Sequence, residues 1–106
     1  KILEGRHALI PPQISALAAH DRDKGTQYCE TLYHYLCGSR SLKRTCDAMF
    51  THRNTVLYRI RRMQEDFAVP LDEPYALPQL LLGVSMVLFE EKGADHFLPP
   101  TDMKGQ

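Results

Sequence analysis

The chain has 106 residues, and its 13 basic and 13 acidic side chains leave no net formal charge. A chain of this length holds one domain with one modest hydrophobic core, and the composition is that of an ordinary globular protein. No apolar run approaches the roughly 18 residues that a membrane span requires, so we expect no membrane partner.

The three cysteines, Cys29, Cys37 and Cys46, show no paired spacing. An odd number of scattered cysteines argues against a disulfide framework and favours a reducing compartment, so we expect a cytoplasmic protein. His34 and His52 add further metal-ligand chemistry, but no CxxC or HxxxH unit presents two ligands together. We therefore expect no metal and no cofactor, and we expect the cysteines to serve as small apolar residues.

The first two predicted helices are separated by a glycine. The pair Pro11–Pro12 suits a helix start, and Gly25 suits its end. Thr26 is the expected N-cap of the next helix, Gln27–Cys37, which Gly38 terminates. Residues at i, i+3, i+4 and i+7 spacing give that second helix one apolar face, made of Tyr28, Cys29, Leu32, Tyr35 and Leu36.

A short helix and a longer one follow. Ser41 is a suitable N-cap for a helix of about two turns, Leu42–Met49, which is stable only when packed. Residues 50–52 form a break, and the next helix is predicted over Arg53–Asp66 with Thr51 as its cap. We expect the short helix to brace the longer one through Ala48 and its apolar neighbours.

The longer helix is amphipathic. Its inner face is predicted to consist of Val56, Ile60, Met63 and Phe67. At 100° per residue the opposite face carries Asn54, Tyr58, Arg61 and Glu65. Arg62 and Thr55 flank this outer face, and Arg59 lies nearer the core edge, so the exposed side is mainly cationic.

The last predicted helix follows a proline-rich linker and runs from Pro78 to about Glu91. It is apolar at nearly every position from Leu80 to Phe89. Such a helix is either a central core helix or part of a subunit interface, and both alternatives stay open because a small domain offers little to surround it. The interface alternative involves Leu81, Val84 and Leu88. Residues 93–106 are predicted to form an irregular tail.

The basic residues are concentrated in one part of the chain. Asp47 is the only acid between Arg40 and Arg62. The same stretch holds seven of the thirteen basic residues: Arg40, Lys43, Arg44, Arg53, Arg59, Arg61 and Arg62. A purely solvated helix face usually mixes both signs of charge, so this segregation favours a polyanionic partner.

A short helix, a tight break and a longer cationic helix are the parts of a helix-turn-helix, which predicts double-stranded DNA as the partner. The second helix of such a motif presents its N-terminal turns to base edges in the major groove. Arg53 and Asn54 occupy those turns, followed by Thr55 and Tyr58. The cations placed for phosphates are Lys43, Arg44, Arg61 and Arg62.

Two further residues have open alternatives. His52 either contacts DNA or is only a turn residue, and Arg59 either contacts DNA or forms a structural ion pair within the domain. We include both among the candidate DNA-binding residues.

The segment THRNTVLYRIRRMQE, residues 51–65, resembles the C-terminal helix-turn-helix of the purine-catabolism (PucR) and sugar-diacid (CdaR) regulators. Members carry a segment close to HRNT-hydrophobic-x-YR-hydrophobic-RR-hydrophobic-x-E. The upstream DRDKGT and ETLYHYL segments and the downstream PLDEPYAL segment are also similar to the family, so the resemblance covers about residues 9–89. Leu57 departs from it, since members commonly have arginine there, and the operator sequence cannot be transferred.

The resemblance implies an all-α, Fis-like helix-turn-helix bundle of about five helices over residues 9–92. It also implies an upstream sensor domain in the full-length protein, a homodimer, and a bacterial regulator that responds to an effector and activates transcription. The alternative function is a helical interaction or dimerisation module whose basic face binds an acidic protein. An enzyme is not expected, because the isolated His20–Asp21 pair has no partner cluster in the sequence.

Overall fold

The computed structural model of the protein describes residues 9–93, and every regular element in this range is helical. A 3₁₀ turn, Pro74–Ala76, precedes the last helix. The α-helices are α1 Pro12–Lys24, α2 Tyr28–Cys37, α3 Leu42–Met49, α4 Arg53–Asp66 and α5 Leu77–Lys92. The predicted all-α bundle of about five helices is confirmed. The domain limits of 9–92 stay a prediction, and the expected tail lies, from residue 94 onward, outside the described residues.

The turn between α1 and α2 depends on a glycine. Gly25 adopts a left-handed conformation with φ of 69°, and its amide donates to the carbonyl oxygen of Asp21 (2.8 Å). Glycine takes this conformation without the steric cost that a Cβ atom imposes, which explains why α1 ends here as predicted.

The cap of α2 is not the predicted one. Gln27, not Thr26, is the N-cap residue, and its side chain makes no capping bond. The carboxylate of Asp21 in the last turn of α1 takes that role, since its two oxygens accept from the amides of Tyr28 (2.9 Å) and Cys29 (2.9 Å). The hydroxyl of Thr26 donates to the same carboxylate. Asp21 therefore fastens the end of α1 to the start of α2.

His20 extends this cluster towards the end of α4. Its Nδ1 donates to Thr26 Oγ1 (2.9 Å), because the single proton of that hydroxyl is already directed at Asp21. The imidazole stacks on the ring of Tyr28, with centroids 4.9 Å apart, and meets the edge of Phe67 at 5.4 Å. Phe67 is the C-cap residue of α4, so three helix ends meet at this point.

Helix α2 lies at the centre of the bundle and contacts all four other helices. The buried apolar side chains come from every helix except α3, and those with almost no exposure include Ile14, Leu17, Leu32, Val56, Met63, Leu80, Val84 and Leu88. The linker after α4 adds Val69 and Leu71 to this core. At Gly83, an added Cβ would lie 2.7 Å from Cδ of Pro11, so glycine permits the close approach of α5 to the start of α1.

Candidate nucleic-acid interface

Helix α3 begins at Ser41, as predicted. The Ser41 hydroxyl accepts from the amide of Arg44 (3.2 Å), which satisfies one of the unpaired donors in the first turn. Thr45 is fully buried and its hydroxyl donates to the carbonyl of Ser41 (2.7 Å). Ala48, the expected bracing residue, is exposed. The bracing prediction is wrong for Ala48, and Thr45 is the residue of α3 that is buried.

The turn between α3 and α4 consists of Phe50, Thr51 and His52. Phe50 adopts a left-handed conformation (φ 53°, ψ 48°), and the amide of Thr51 donates to the carbonyl of Cys46 (3.1 Å). The N-cap residue of α4 is His52, which makes no capping bond with its side chain. Thr51 as N-cap is therefore wrong by one residue, although the predicted limits of α4, Arg53–Asp66, are confirmed.

The two faces of α4 separate as the helical period predicted. Val56, Ile60 and Met63 are buried, and Phe67 is partly buried against the core. Exposed side chains cover the other face and the first turn, namely His52, Arg53, Asn54, Tyr58, Arg61 and Glu65. Thr55 and Leu57 are partly buried at its edges. The N-terminal half of this exposed face thus combines cations with hydrogen-bonding side chains.

Arg62 is engaged within its own helix. Its Nη1 donates to the hydroxyl of Tyr58 (3.2 Å), its guanidinium carbon lies 5.9 Å from the centroid of that ring, and its Nε donates to Asp66. The bonds to Tyr58 and Asp66 raise the pKa of the guanidinium above its ordinary value. The i,i+4 spacing of all three residues was visible in the sequence. Arg62 therefore shares its charge with an acid, whereas Arg61 forms no ion pair with an acid of residues 9–93.

Arg59 links α4 to the central helix. Its Nη1 donates to Oγ1 of Thr31 (3.0 Å), a fully buried hydroxyl whose own proton goes to the carbonyl of Gln27 (2.7 Å). The structural alternative for Arg59 thus takes the form of a hydrogen bond instead of an ion pair. This bond helps to fix the orientation of α4 on α2.

The cations before and on α3 differ in their surroundings. Nζ of Lys43 lies 3.2 Å from Oδ2 of Asp47 in an exposed i,i+4 pair. The stem of Arg44 packs on Gly38, where an added Cβ would lie 3.2 Å from Cβ of Arg44. Arg40 donates from Nη1 to the carbonyl of Leu71 (3.2 Å) and so holds the linker after α4. All three residues are exposed to solvent, and the side chain of Lys43 is 84% accessible despite its pairing with Asp47.

The predicted interface residues of α5 need correction. Val84 is 0% exposed and Leu88 is 1% exposed, because both pack inside the domain's own core. Leu81 is partly buried. For Val84 and Leu88 the core alternative therefore holds, and a second copy cannot reach them in this fold. The large apolar side chains of α5 that are exposed are Leu82 (52%) and Phe89 (45%). They lie about two helical turns apart, at i,i+7, and so on the same side of the helix.

Residues 9–93 contain neither a metal-binding cluster nor a membrane-spanning helix. In this part of the chain, no three His, Cys, Asp or Glu side chains are close enough together to hold a metal ion. No helix described there is long and apolar enough to cross a bilayer. Cys29 is buried, Cys46 is partly buried and Cys37 is exposed, and all three are free thiols.

Comparison with known proteins gives two matches. Residues 28–86, more than half of the chain, match the family model of the PucR C-terminal helix-turn-helix domain, which confirms the family expected from residues 51–65. The chain is also 28% identical over 74 residues to the proline-responsive transcriptional activator PutR of Bacillus subtilis (strain 168). That alignment covers 70% of this chain and 18% of PutR, so the chain spans less than a fifth of that relative. No solved structure matches.

Proposed function

Because this chain belongs to the PucR C-terminal helix-turn-helix family, a family of transcription-regulator domains, we propose that it is the sequence-specific DNA-binding output domain of an effector-responsive bacterial activator. The observation that supports this most is the exposed cationic face of α4. It follows a capped two-turn helix and a three-residue turn, which is the arrangement that presents a helix to the major groove.

Each candidate residue has a proposed role. Arg53 and Asn54, exposed in the first turn of α4, contact base edges, since Arg pairs with guanine and Asn with adenine. His52, Thr55 and Tyr58 lie beside them and contact bases or the sugar–phosphate backbone. The remaining cations contact phosphates and position the domain, namely Lys43, Arg44, Arg61 and, after exchange with Asp66, Arg62. Arg59 contributes chiefly by holding α4 on α2.

Binding of DNA is tested by titrating the protein against duplexes enriched from a random-sequence pool at rising salt. Phosphate contacts release counterions, so the logarithm of the binding constant should fall linearly with the logarithm of the salt concentration. Arg61→Ala should reduce the slope by about 0.9. Lys24→Ala, an exposed cation on α1, is the matched control and should leave the slope unchanged. Absent or salt-independent binding by the parent protein would contradict the proposal.

Base contacts have a different signature from phosphate contacts. Arg53→Ala and Asn54→Ala should each weaken binding to the enriched duplex by about 1–3 kcal/mol and relax the preference at one base pair. Binding to unrelated duplexes should change much less. Equal losses on all sequences would show that these two residues contact only the backbone.

The second part of the proposal is a homodimer that uses the outer side of α5. The exposed Leu82 and Phe89 support it, because large apolar side chains left in solvent are typical of contact surfaces. In sedimentation experiments, Leu82→Asp should dissociate the dimer and leave the helical content intact. Leu88→Asp should unfold the domain instead, because Leu88 is buried. A parent protein that is monomeric at all concentrations would exclude this interface.

The proposed regulation rests on the relative PutR, and the proposed location rests on the reducing compartment that the scattered cysteines favour. PutR is named as a proline-responsive activator, and this chain corresponds to 18% of its length. We propose that the corresponding full-length regulator carries an upstream sensor domain, responds to a small effector and acts in the cytoplasm. The alternative, an interaction module whose basic face binds an acidic protein, becomes the preferred function only when the DNA titration fails.

A further inference from the structure

The turn of the helix-turn-helix holds an unusual aromatic residue. Phe50 is 94% exposed, and its backbone is left-handed with φ of 53°. A bulky side chain disfavours this backbone conformation. Because the ring is exposed to water, it also adds no hydrophobic stabilisation to the fold. Glycine or asparagine would remove the steric conflict. The position therefore carries two unfavourable features that the packing of the domain does not explain.

The surroundings of Phe50 indicate the chemistry of its partner. With Cys46, Asp47, Thr51 and His52, it lines an open recess beside the start of α4. Asp47 is the acid in this lining, and it is paired with Lys43 (3.2 Å). Arg53 and Asn54 follow directly, both exposed. The cations and the helix N-terminus favour a negatively charged partner. The exposed ring favours a partner that also presents apolar groups.

We propose that Phe50 is a specificity-determining residue that makes an apolar contact with the C5-methyl group of a thymine. This inference rests on the proposed DNA-binding function and deepens it. Duplex DNA presents the thymine methyl in the major groove, where apolar side chains distinguish it from the other bases. Phe50 precedes Arg53 by three residues, at the end of α4 that enters the groove in helix-turn-helix proteins. With this left-handed backbone, the ring of Phe50 lies exposed to solvent beside the start of α4.

The first test separates stability from recognition. Phe50→Gly and Phe50→Asn both suit a left-handed turn, so both variants should melt at the same temperature as the parent or higher. Their affinity for the duplex enriched by the parent protein should nevertheless fall about fivefold or more. The salt slope should not change, because no phosphate contact is lost. Tyr75→Ala, which removes a ring that is 92% exposed outside this surface, is the matched control and should bind like the parent.

The second test identifies the atom that the ring contacts. Each thymine of the enriched duplex is replaced in turn by uracil, which removes only the methyl group. One replacement should weaken binding of the parent by the same factor as Phe50→Gly, and that replacement should have no further effect on the Phe50→Gly variant. This non-additivity is the signature of a direct contact.

Two results would overturn the inference. Unchanged affinity of the Phe50→Gly variant, with the parent binding in a salt-dependent manner, would show that the ring makes no contact that contributes to DNA binding; the proposed function would then stand. Loss of affinity that is additive with every uracil replacement would show that Phe50 acts without touching a thymine methyl. Failure of the parent itself to bind duplex DNA would overturn both the inference and the proposed function.

Discussion

At the scale of single residues, the carboxylate of Asp21 connects the end of α1 to the start of α2. Its carboxylate accepts from two backbone amides of α2 and from the hydroxyl of Thr26. Hydrogen bonds to an ionised acceptor are stronger than neutral ones, and they are placed here at the positive end of a helix. A single carboxylate therefore determines how α1 meets α2.

We expect Asp21→Ala to destabilise the domain by about 2 kcal/mol, because two amides lose their acceptor at once. For a domain of this size the melting temperature should fall by about 8 °C or more. The matched control is Asp23→Ala, two residues along α1 and exposed, which should change stability little. Thermal unfolding followed by circular dichroism measures both. Equal melting temperatures for the two variants would contradict this role of Asp21.

The buried thiol of Cys29 should make stability depend on pH. Burial raises the pKa of Cys29 well above its usual range, and the negative charge of Asp21 adds to this effect. In the unfolded chain the thiol ionises near its ordinary pKa of about 8.5. Above that pH the unfolded state binds fewer protons than the folded state, so the free energy of unfolding falls as pH rises.

This pH effect is measured by urea unfolding between about pH 7 and pH 10. The contribution of Cys29 should approach about 1.4 kcal/mol per pH unit above pH 8.5. Cys29→Ala should flatten the decline at alkaline pH. Cys37→Ala, which removes an exposed thiol, is the control and should keep the steeper decline of the parent. If both variants show the same slope, the pH dependence does not come from Cys29.

At the scale of elements, the bond between Arg59 and Thr31 connects the candidate DNA-binding helix to the helix at the centre of the core. Thr31 is fully buried, so it cannot itself contact DNA. Any influence of Thr31 on DNA binding must therefore pass through the position of α4. Substitutions in this pair therefore measure how much the orientation of α4, apart from direct contacts with DNA, contributes to the affinity for DNA.

Thr31→Val should lower the free energy of unfolding by about 1 kcal/mol and also weaken DNA binding. Thr45→Val is a close control, because Thr45 is equally buried and donates to the i−4 carbonyl over the same 2.7 Å, but accepts nothing from an arginine. In a double-mutant cycle with Arg59→Met, the effects on affinity should be non-additive. Additive effects would mean that Arg59 acts on DNA independently of Thr31.

The sequence predicted the helices better than their ends. The limits of α3 and α4 followed from a serine cap and from clear apolar spacing, both local signals. The cap of α2 could not be predicted in this way, since Asp21 lies in the preceding helix, seven residues before Tyr28. Thr26 was the local candidate, and its hydroxyl instead supports the carboxylate.

The site was predictable to a similar extent. The exposed face of α4 followed from its period, because polar and apolar residues alternate clearly along it. On α5 apolar residues stand at almost every position, so no stripe distinguishes Val84 and Leu88, which are buried, from Leu82, which is exposed. The left-handed Phe50 also escaped prediction, since glycine or asparagine is the usual signal for that conformation.

At the scale of the whole molecule, a neutral chain carries its charges in separate regions. The cations gather on α3 and α4, and acids such as Glu90 and Glu91 lie on α5. Arg22 of α1 pairs with Glu91 at 3.4 Å, an exposed contact between side chains 64% and 37% accessible that adds little stability. The stability of the bundle therefore depends mainly on packing around α2.

We expect the domain to unfold in one transition, because every helix packs on α2. Leu32 tests this because it is fully buried on α2. Leu32→Ala should lower the free energy of unfolding by about 2–5 kcal/mol. Hydrogen exchange should then accelerate by the same factor in α1, α4 and α5. Selective acceleration in one helix, with the others still protected, would contradict a single cooperative unit.

The central position of α2 also limits how this domain can be divided. A peptide spanning only α3 and α4 would keep the cationic face and the turn with Phe50, but it would lose the hydroxyl that receives Arg59 and most of the apolar surface on which Val56 and Met63 rest. Helices of eight and fourteen residues are at most marginally stable in isolation. A segment of α3 and α4 alone is therefore not expected to fold and bind DNA. Any chimeric regulator built from this chain must carry α2 as well.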